Sequence, residues 1–247
     1  MPHPRGGTIL MKQPIVPSIS VDRTITRIGA SGRREVVDVL LREERYELVC
    51  NGSAVAEMHC MPSLLRELAV GRLRTLGLLH EISALQSLDV DEKNCVIEAS
   101  VAACSAPAAG ASGDVRLAPA QVHALQQAFN DRCDLFRSTG AAHSCALATP
   151  DSLLLFCEDI ARHNALDKVI GAMLLQGLAP DGKILIFSGR LASDMLSKVV
   201  ACGVKLLIAP GAPSLTSVNM AEACGITLLG FVRRDNINIY TCPQRIC

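Results

Sequence analysis

Four short blocks in the second half of the chain hold most of its reactive side chains. The densest is Glu158-Asp159-Ile160-Ala161-Arg162-His163-Asn164-Ala165-Leu166-Asp167-Lys168, where a strand-like run gives way to a helical pattern. Asp159 or Asn164 can cap that helix. This leaves backbone N–H groups and the positive end of the helix dipole beside Arg162 and His163, a place that suits an anion. Capping plus surface ion pairs explains the same residues without a ligand. Ser188-Gly189-Arg190 ends another apolar run just before a helix, where backbone N–H groups and a guanidinium hold phosphate oxygens. Pro210-Gly211-Ala212-Pro213-Ser214 also follows a strand-like run. It reads as a rigid turn or as a wall of the crevice that open α/β sheets form at their strand ends. Phe231-Val232-Arg233-Arg234-Asp235-Asn236 joins two apolar runs. Its arginine pair suits bidentate contact with a pyrophosphate or carboxylate, and a hairpin with solvated charges would look the same.

Metal chemistry finds little support. His143-Ser144-Cys145 brings two ligand types together, but the chain has no Cys-x-x-Cys and no His-x-Glu, so no zinc or other resident metal is expected. Sulfur chemistry needs an accessible thiolate. Cys104, at the head of an Ala, Gly and Ser run to Gly113, is the candidate nucleophile, with Cys242 and Cys247 behind it. No basic neighbour in sequence lowers the Cys104 pKa, so an incidental loop cysteine remains an open reading. The chain has 11 cysteines, and Cys95, Cys145, Cys157, Cys202 and Cys224 sit in apolar segments where a thiol packs as a small hydrophobe.

These blocks need elements to position them. Residues 1–33 are rich in Pro, Gly, Ser, Thr and Arg with little periodicity and read as an extended arm or partly ordered tail. Strands are expected over Val36–Leu40, Tyr46–Cys50 and Ala54–Met58, the last two joined by an Asn51-Gly52 hairpin turn. A helix opens at Pro62-Ser63 and is interrupted by Gly71 and Gly77, and two weak strands follow near Leu85–Val90 and Cys95–Val101. Beyond residue 118, helices and strands alternate. Helices are expected around Val122–Phe129, over Asn164–Gln176 and Ser193–Cys202, and before Gly225; strands over His143–Ala148, Leu153–Cys157, Ile184–Phe187, Val204–Ile208, Ile226–Phe231 and Ile237–Tyr240. Gly177, Gly203 and Gly225 stand where three helices should stop. The pattern is that of an α/β protein with a mixed sheet: a small lobe over 34–115 and a larger one over 116–247.

Composition narrows the function. The 247 residues are 49% hydrophobic and 19% charged, enough for a real core. Net charge is zero and aromatics are 3% with no Trp, which argues against nucleic acid. No secretory signal and no run near the roughly 20 apolar residues that cross a bilayer is visible, so no membrane partner and a cytoplasmic location are expected.

In order along the chain, these blocks resemble the FdhD family of formate dehydrogenase accessory proteins. Thr139-Gly140-Ala141-Ala142-His143 is similar to the family's Thr-Gly-Gly-x-His block. Glu158–Lys168 is similar to its Glu-Asp-Val-Gly-Arg-His-Asn-Ala-x-Asp-Lys signature, with Ala161 in place of a glycine. Ser188–Arg190, Lys198, Ala212-Pro213, Ala221-Glu222, Ile226–Phe231 and Tyr240–Arg245 resemble further blocks, as do Asn51-Gly52 and Leu68–Leu73 upstream. The resemblance implies a cytidine-deaminase-like C-terminal lobe, a smaller α+β N-terminal lobe and a homodimer. It also implies a sulfurtransferase that takes persulfide sulfur from a cysteine desulfurase. The sulfur passes to a molybdenum bis(guanine dinucleotide) cofactor, carried as a client for a molybdenum formate dehydrogenase. Cofactor contacts carried over by position fall on Phe231, Val232, Arg233, Arg234, Asp235 and Asn236, with His143, His163 and Arg190 lining the same cavity. The family's Gly-Cys-Gly-x-Cys-Gly pair is replaced by Cys104 followed by Ser, Ala and Pro. Sulfur transfer would then run through one cysteine; the alternative is a non-catalytic binder or chaperone of the cofactor. A deaminase-like hydrolase, suggested by fold analogy alone, needs a metal site that the sequence does not offer.

Overall fold

The computed structural model describes residues 19–103, 115–233 and 236–247. Its first element is a hairpin of β1 (Ser20–Gly29) and β2 (Gly32–Leu41), paired from Ser20↔Leu41 to Gly29↔Gly32. Ser20–Gly29, within the segment read as an extended arm or tail, is a regular strand, and residue 33 falls inside β2. The hairpin is exposed on most of both faces. It therefore shows none of the apolar alternation by which a half-buried strand is recognised.

The small lobe is a four-stranded sheet in the order β4-β3-β6-β5, built from β3 (Glu44–Cys50), β4 (Ser53–Cys60), β5 (Leu85–Asp91) and β6 (Val96–Val101). Asn51 (φ 51°) and Gly52 (φ 78°) take the left-handed angles of the two-residue turn between β3 and β4. The Asn51 side chain also closes on β6, donating to the Val101 carbonyl at 2.9 Å and accepting from its N–H at 2.8 Å. Tyr46, Leu48, Met58 and Ile97 bury one sheet face against Leu65, Leu68, Ala69 and Leu73 of α1 (Leu65–Thr75).

Gly71 does not interrupt α1. It lies within the helix, at the crossing with α4 (Arg162–Leu175), where a Cβ on Gly71 would stand 1.8 Å from the Asp167 carbonyl oxygen. Gly171 on α4 makes the reciprocal approach, with its would-be Cβ 1.8 Å from the Glu67 oxygen. The two glycines let the backbones meet and join the lobes.

The large lobe is a six-stranded sheet in the order β12-β11-β10-β9-β7-β8. Its strands are β7 (His143–Ala148), β8 (Leu153–Asp159), β9 (Ile184–Phe187), β10 (Leu206–Ile208), β11 (Thr227–Arg233) and β12 (Asn236–Thr241). β9, β10 and β11 are parallel, while β7 runs antiparallel to both neighbours and β12 antiparallel to β11. One face, with Cys145, Leu147, Leu185, Phe187, Leu207 and Leu228, packs on α4, α5 (Ser193–Cys202) and α6 (Leu215–Ala223). The other, with Ala146, Ala148, Ile184, Ile186, Ile208 and Leu229, packs on α2 (Pro119–Asn130). Both faces are covered, which is why Ile184–Phe187 is apolar without alternation.

A short helix that the sequence pattern did not suggest, α3 (Asp134–Thr139), follows α2. Its first turn is held by buried Glu158, which accepts from the N–H groups of Leu135 (3.2 Å) and Phe136 (3.4 Å) and from Ser144 Oγ (3.1 Å). Cys145, Cys157 and Cys202 are buried in the α4–α5 core. Burial pushes the thiols of Cys157 and Cys202 up to about 12 and that of Cys145 well above its usual value, so they stay protonated and unreactive. Cys95 and Cys224 are half-buried and Cys247 is exposed. Among the described residues, no helix is long and apolar enough to cross a membrane, and no group of three His, Cys, Asp or Glu is gathered for a metal ion.

Candidate functional site

Strand direction gathers the candidate residues at one end of the large sheet. β7 is antiparallel to β9 with Cys145 opposite Phe187, so the start of β7 lies beside the end of β9. β8 pairs His143 with Asp159, which brings its own end there too. The parallel strands β9, β10 and β11 deliver Ser188–Arg190, Pro210–Ser214 and Phe231–Arg233 to the same end. Ligand crevices of open α/β sheets form at such ends. The loops touch through backbone. A Cβ on Gly211 would lie 2.7 Å from the Gly189 oxygen, and one on Gly230 3.1 Å from the Gly211 oxygen. Leu191 and Pro213 form a parallel bridge between two of these loops.

The dense block Glu158–Lys168 divides. Most of it is buried structure rather than capping with surface ion pairs. Asp159 and Lys168 form a wholly buried ion pair at 2.6 Å. The Asp159 carboxylate also accepts from the N–H groups of Met61 (3.2 Å) and Ala161 (3.0 Å) and from Asn164 Nδ2 (3.2 Å). Asn164 donates to the His59 carbonyl at 2.6 Å. Asp167, wholly buried, pairs with Lys198 and accepts from Thr75 Oγ1 at 3.1 Å, with Arg72 3.7 Å away. Met61, His59, Thr75 and Arg72 belong to the small lobe, so these contacts fasten one lobe to the other.

Arg162 and His163, at the start of α4, remain for ligand chemistry. Asp194, in the first turn of α5, holds both: its Oδ2 is 3.2 Å from His163 Nε2 and 3.7 Å from Arg162 Nη2. Arg162 Nε is buried and has no hydrogen-bond partner among the described residues, an unused donor at the site. His143 is half-buried nearby; burial and the Arg162 charge push its pKa down, against the opposing pull of Asp159. Burial also lowers the His163 pKa, helped by the Lys198 charge and opposed by Asp194. Arg190 is exposed at the end of β9. The cluster is cationic, half-buried and supplied with donors, which suits phosphate oxygens.

The β11–β12 hairpin lies at the same sheet end, but Val232 packs into the α2-side core. A groove of about 670 Å³ there has Val232, Arg233 and Pro210 on one side and α2 on the other. His143, His163 and Arg190 are not among the residues lining that groove, although the expectation put them in one cavity with this hairpin. Phe231 is partly exposed with a left-handed φ of 51°, and Asn236 pairs with Arg233. Arg234, Asp235 and Cys104 lie outside the described residues. Sequence reasoning missed Asp194 and the polar face of α2, because neither adjoins a recognisable block and only the tertiary packing brings them to the site.

The chain was compared with known proteins. The model of the FdhD/NarQ family matches residues 98–247. The sulfur carrier protein FdhD of Shouchella clausii is 31% identical, with 93% of this chain and 97% of that protein aligned. The sulfur carrier protein FdhD of Bacillus subtilis is 28% identical over 92% of this chain and 98% of its own. A crystal structure of a candidate formate dehydrogenase accessory protein from Desulfotalea psychrophila superposes with a TM-score of 0.83 at 25% identity, over 93% of this chain and all of that one. Family match, near-full-length relatives and shared fold agree: the chain belongs to the FdhD/NarQ family.

Proposed function

We propose that this protein is a sulfur carrier that serves a formate dehydrogenase, taking sulfur from a cysteine desulfurase and passing it to a molybdenum bis(guanine dinucleotide) cofactor held as a client. The observation that carries the reading is the convergence of Arg162, His163, Arg190 and the β11–β12 hairpin at one sheet end, where Arg162 Nε has no partner among the described residues. A dinucleotide with two phosphates per arm needs such donors. The large lobe's mixed sheet, with β7 reversed beside parallel β9–β11, supports a cytidine-deaminase-like fold. We extend the proposal to a homodimer, which exposed apolar side chains on the β1–β2 hairpin favour (Ile28 78%, Val37 66%), and to a cytoplasmic location.

Cys104 is the proposed carrier. Its thiolate attacks the outer sulfur of the desulfurase persulfide, the S–S bond there breaks, the desulfurase thiolate leaves, and the persulfide now sits on Cys104. Releasing that sulfur as sulfide consumes two electrons. A second thiol ending in a disulfide is one source, but the loop from Cys104 to Gly113 contains no second cysteine. The electrons then come from the client's reduced metal or an external thiol. The same absence favours the second reading, a cofactor binder without sulfur transfer.

Calorimetry with GDP tests the binding half. GDP should bind the full-length protein, Arg190→Gln and Arg233→Gln should each weaken it about tenfold, and added salt should do likewise. No GDP binding to the wild type would overturn the proposed client.

A further inference from the structure

Asp194, which adjoins no recognisable block in the sequence, is engaged at both carboxylate oxygens. Oδ1 accepts from the Met195 N–H at 2.7 Å. Oδ2 faces the cations, 3.2 Å from His163 Nε2 and 3.7 Å from Arg162 Nη2. The first turn of a helix favours a negative charge, so α5 holds this carboxylate in place. It also decides which ring nitrogen of a neutral His163 carries the proton. A lone pair on Nε2 would oppose Oδ2, so the proton sits on Nε2 and Nδ1 is bare. Nδ1 has no partner among the described residues, and the side chain is 33% exposed.

The charges around this ring are nearly balanced before any ligand arrives. His163 faces Asp194 and Lys198 from α5, and Arg162 and Asp167 from its own helix. Lys198 is engaged by buried Asp167, and Arg162 shares Asp194 with the imidazole. Arg190 follows Gly189, whose would-be Cβ lies 3.6 Å from Arg162 Cδ, and it has no acidic partner among the described residues. A diphosphate carries more than one negative charge, and a bare Nδ1 turns a lone pair toward it instead of a donor. A proton on Nδ1 makes the ring a cation with a donor at each nitrogen, and Asp194 already stands as its counter-charge. In the ligand-free protein, burial and the Lys198 charge keep that proton off.

We propose, resting on the reading of this sheet end as a phosphate site, that Asp194 is a positioning residue that couples anion binding to proton uptake by His163. The ligand supplies the negative charge that the second ring proton needs. Asp194 keeps the imidazolium from facing only Arg162 and Lys198. Affinity therefore rises as pH falls.

The test is calorimetry of GDP binding to full-length wild type, His163→Gln and Asp194→Asn, at about pH 8 and about pH 6.5, in buffers of different ionisation enthalpy. GDP titrates as well, so the readout is the difference between proteins under one condition. At the lower pH, wild type should take up as much as about one proton more per GDP than His163→Gln, and between the two pH values its affinity should gain on that variant's by about fivefold. Asp194→Asn keeps an acceptor for the Met195 N–H, at a side chain that is 51% exposed, so folding is not at risk. With a negative charge removed, it should bind GDP at the higher pH at least as tightly as wild type but lose most of the gain at the lower one. Equal weakening at both pH values with proton uptake intact would mean that Asp194 is merely structural and would overturn the proposal. Equal uptake by wild type and His163→Gln would overturn it too, while leaving the phosphate site standing. No GDP binding by the wild type would overturn it together with that site.

Discussion

His143 and His163 sit among cations as well as anions, and burial tips both toward the neutral imidazole. Each has its pKa below the usual value of 6.5. As pH falls below 6.5, the unfolded chain takes up protons that the folded protein resists, so stability is lost in that window and kept above it. The wild-type melting temperature should therefore drop between about pH 7.5 and 5.5 by more than that of His143→Gln/His163→Gln. Parallel melting curves for the two proteins would contradict the buried-neutral assignment. At this scale the sequence singled out Glu158–Lys168 but not its division between buried structure and the two half-buried cations Arg162 and His163. Nothing in Glu158–Lys168 distinguishes Asp159 and Lys168, wholly buried, from Arg162 and His163, only half-buried. That distinction depends on α1 and β4 arriving over the helix, contacts made by residues about a hundred positions upstream, such as Met61.

At the scale of elements, the α1–α4 crossing reverses an ordinary expectation. Glycine in a helix interior is worse than alanine by about 1 kcal/mol. Gly171→Ala should nonetheless destabilise the protein by about 2–3 kcal/mol, because its Cβ would overlap the Glu67 oxygen and the two backbones cannot separate without opening the lobe junction. Urea denaturation measures the difference, and a stabilised variant would contradict the close approach. Helix ends and the hairpin turn were legible because Gly177, Gly203, Gly225 and Asn51-Gly52 act through local backbone angles. Gly71 was misread as a break by the same local logic, since a glycine that admits another helix has the same appearance in sequence. The β1–β2 hairpin and α3 left no apolar period to find: one is exposed on most of both faces, the other spans only Asp134–Thr139.

For the whole molecule, hydrogen bonds from Met61 and Thr75 to the two buried carboxylates, from Asn164 to the His59 carbonyl, and two glycines bind a small sheet to a larger one, and the strand directions of the larger sheet bring the basic loops to one end. The rigid part of the site is thus formed by fold. The proposed reactive part is one cysteine, Cys104, between the lobes in sequence. Buried thiols such as Cys145, Cys157 and Cys202 are held protonated and cannot replace it. The most direct measurement is intact mass of the protein after incubation with a cysteine desulfurase and cysteine, for wild type and Cys104→Ser. A gain of one sulfur atom, removed by a thiol reductant and missing in the variant, is the predicted result. No gain in the wild type, or the same gain in both, would contradict sulfur transfer through Cys104.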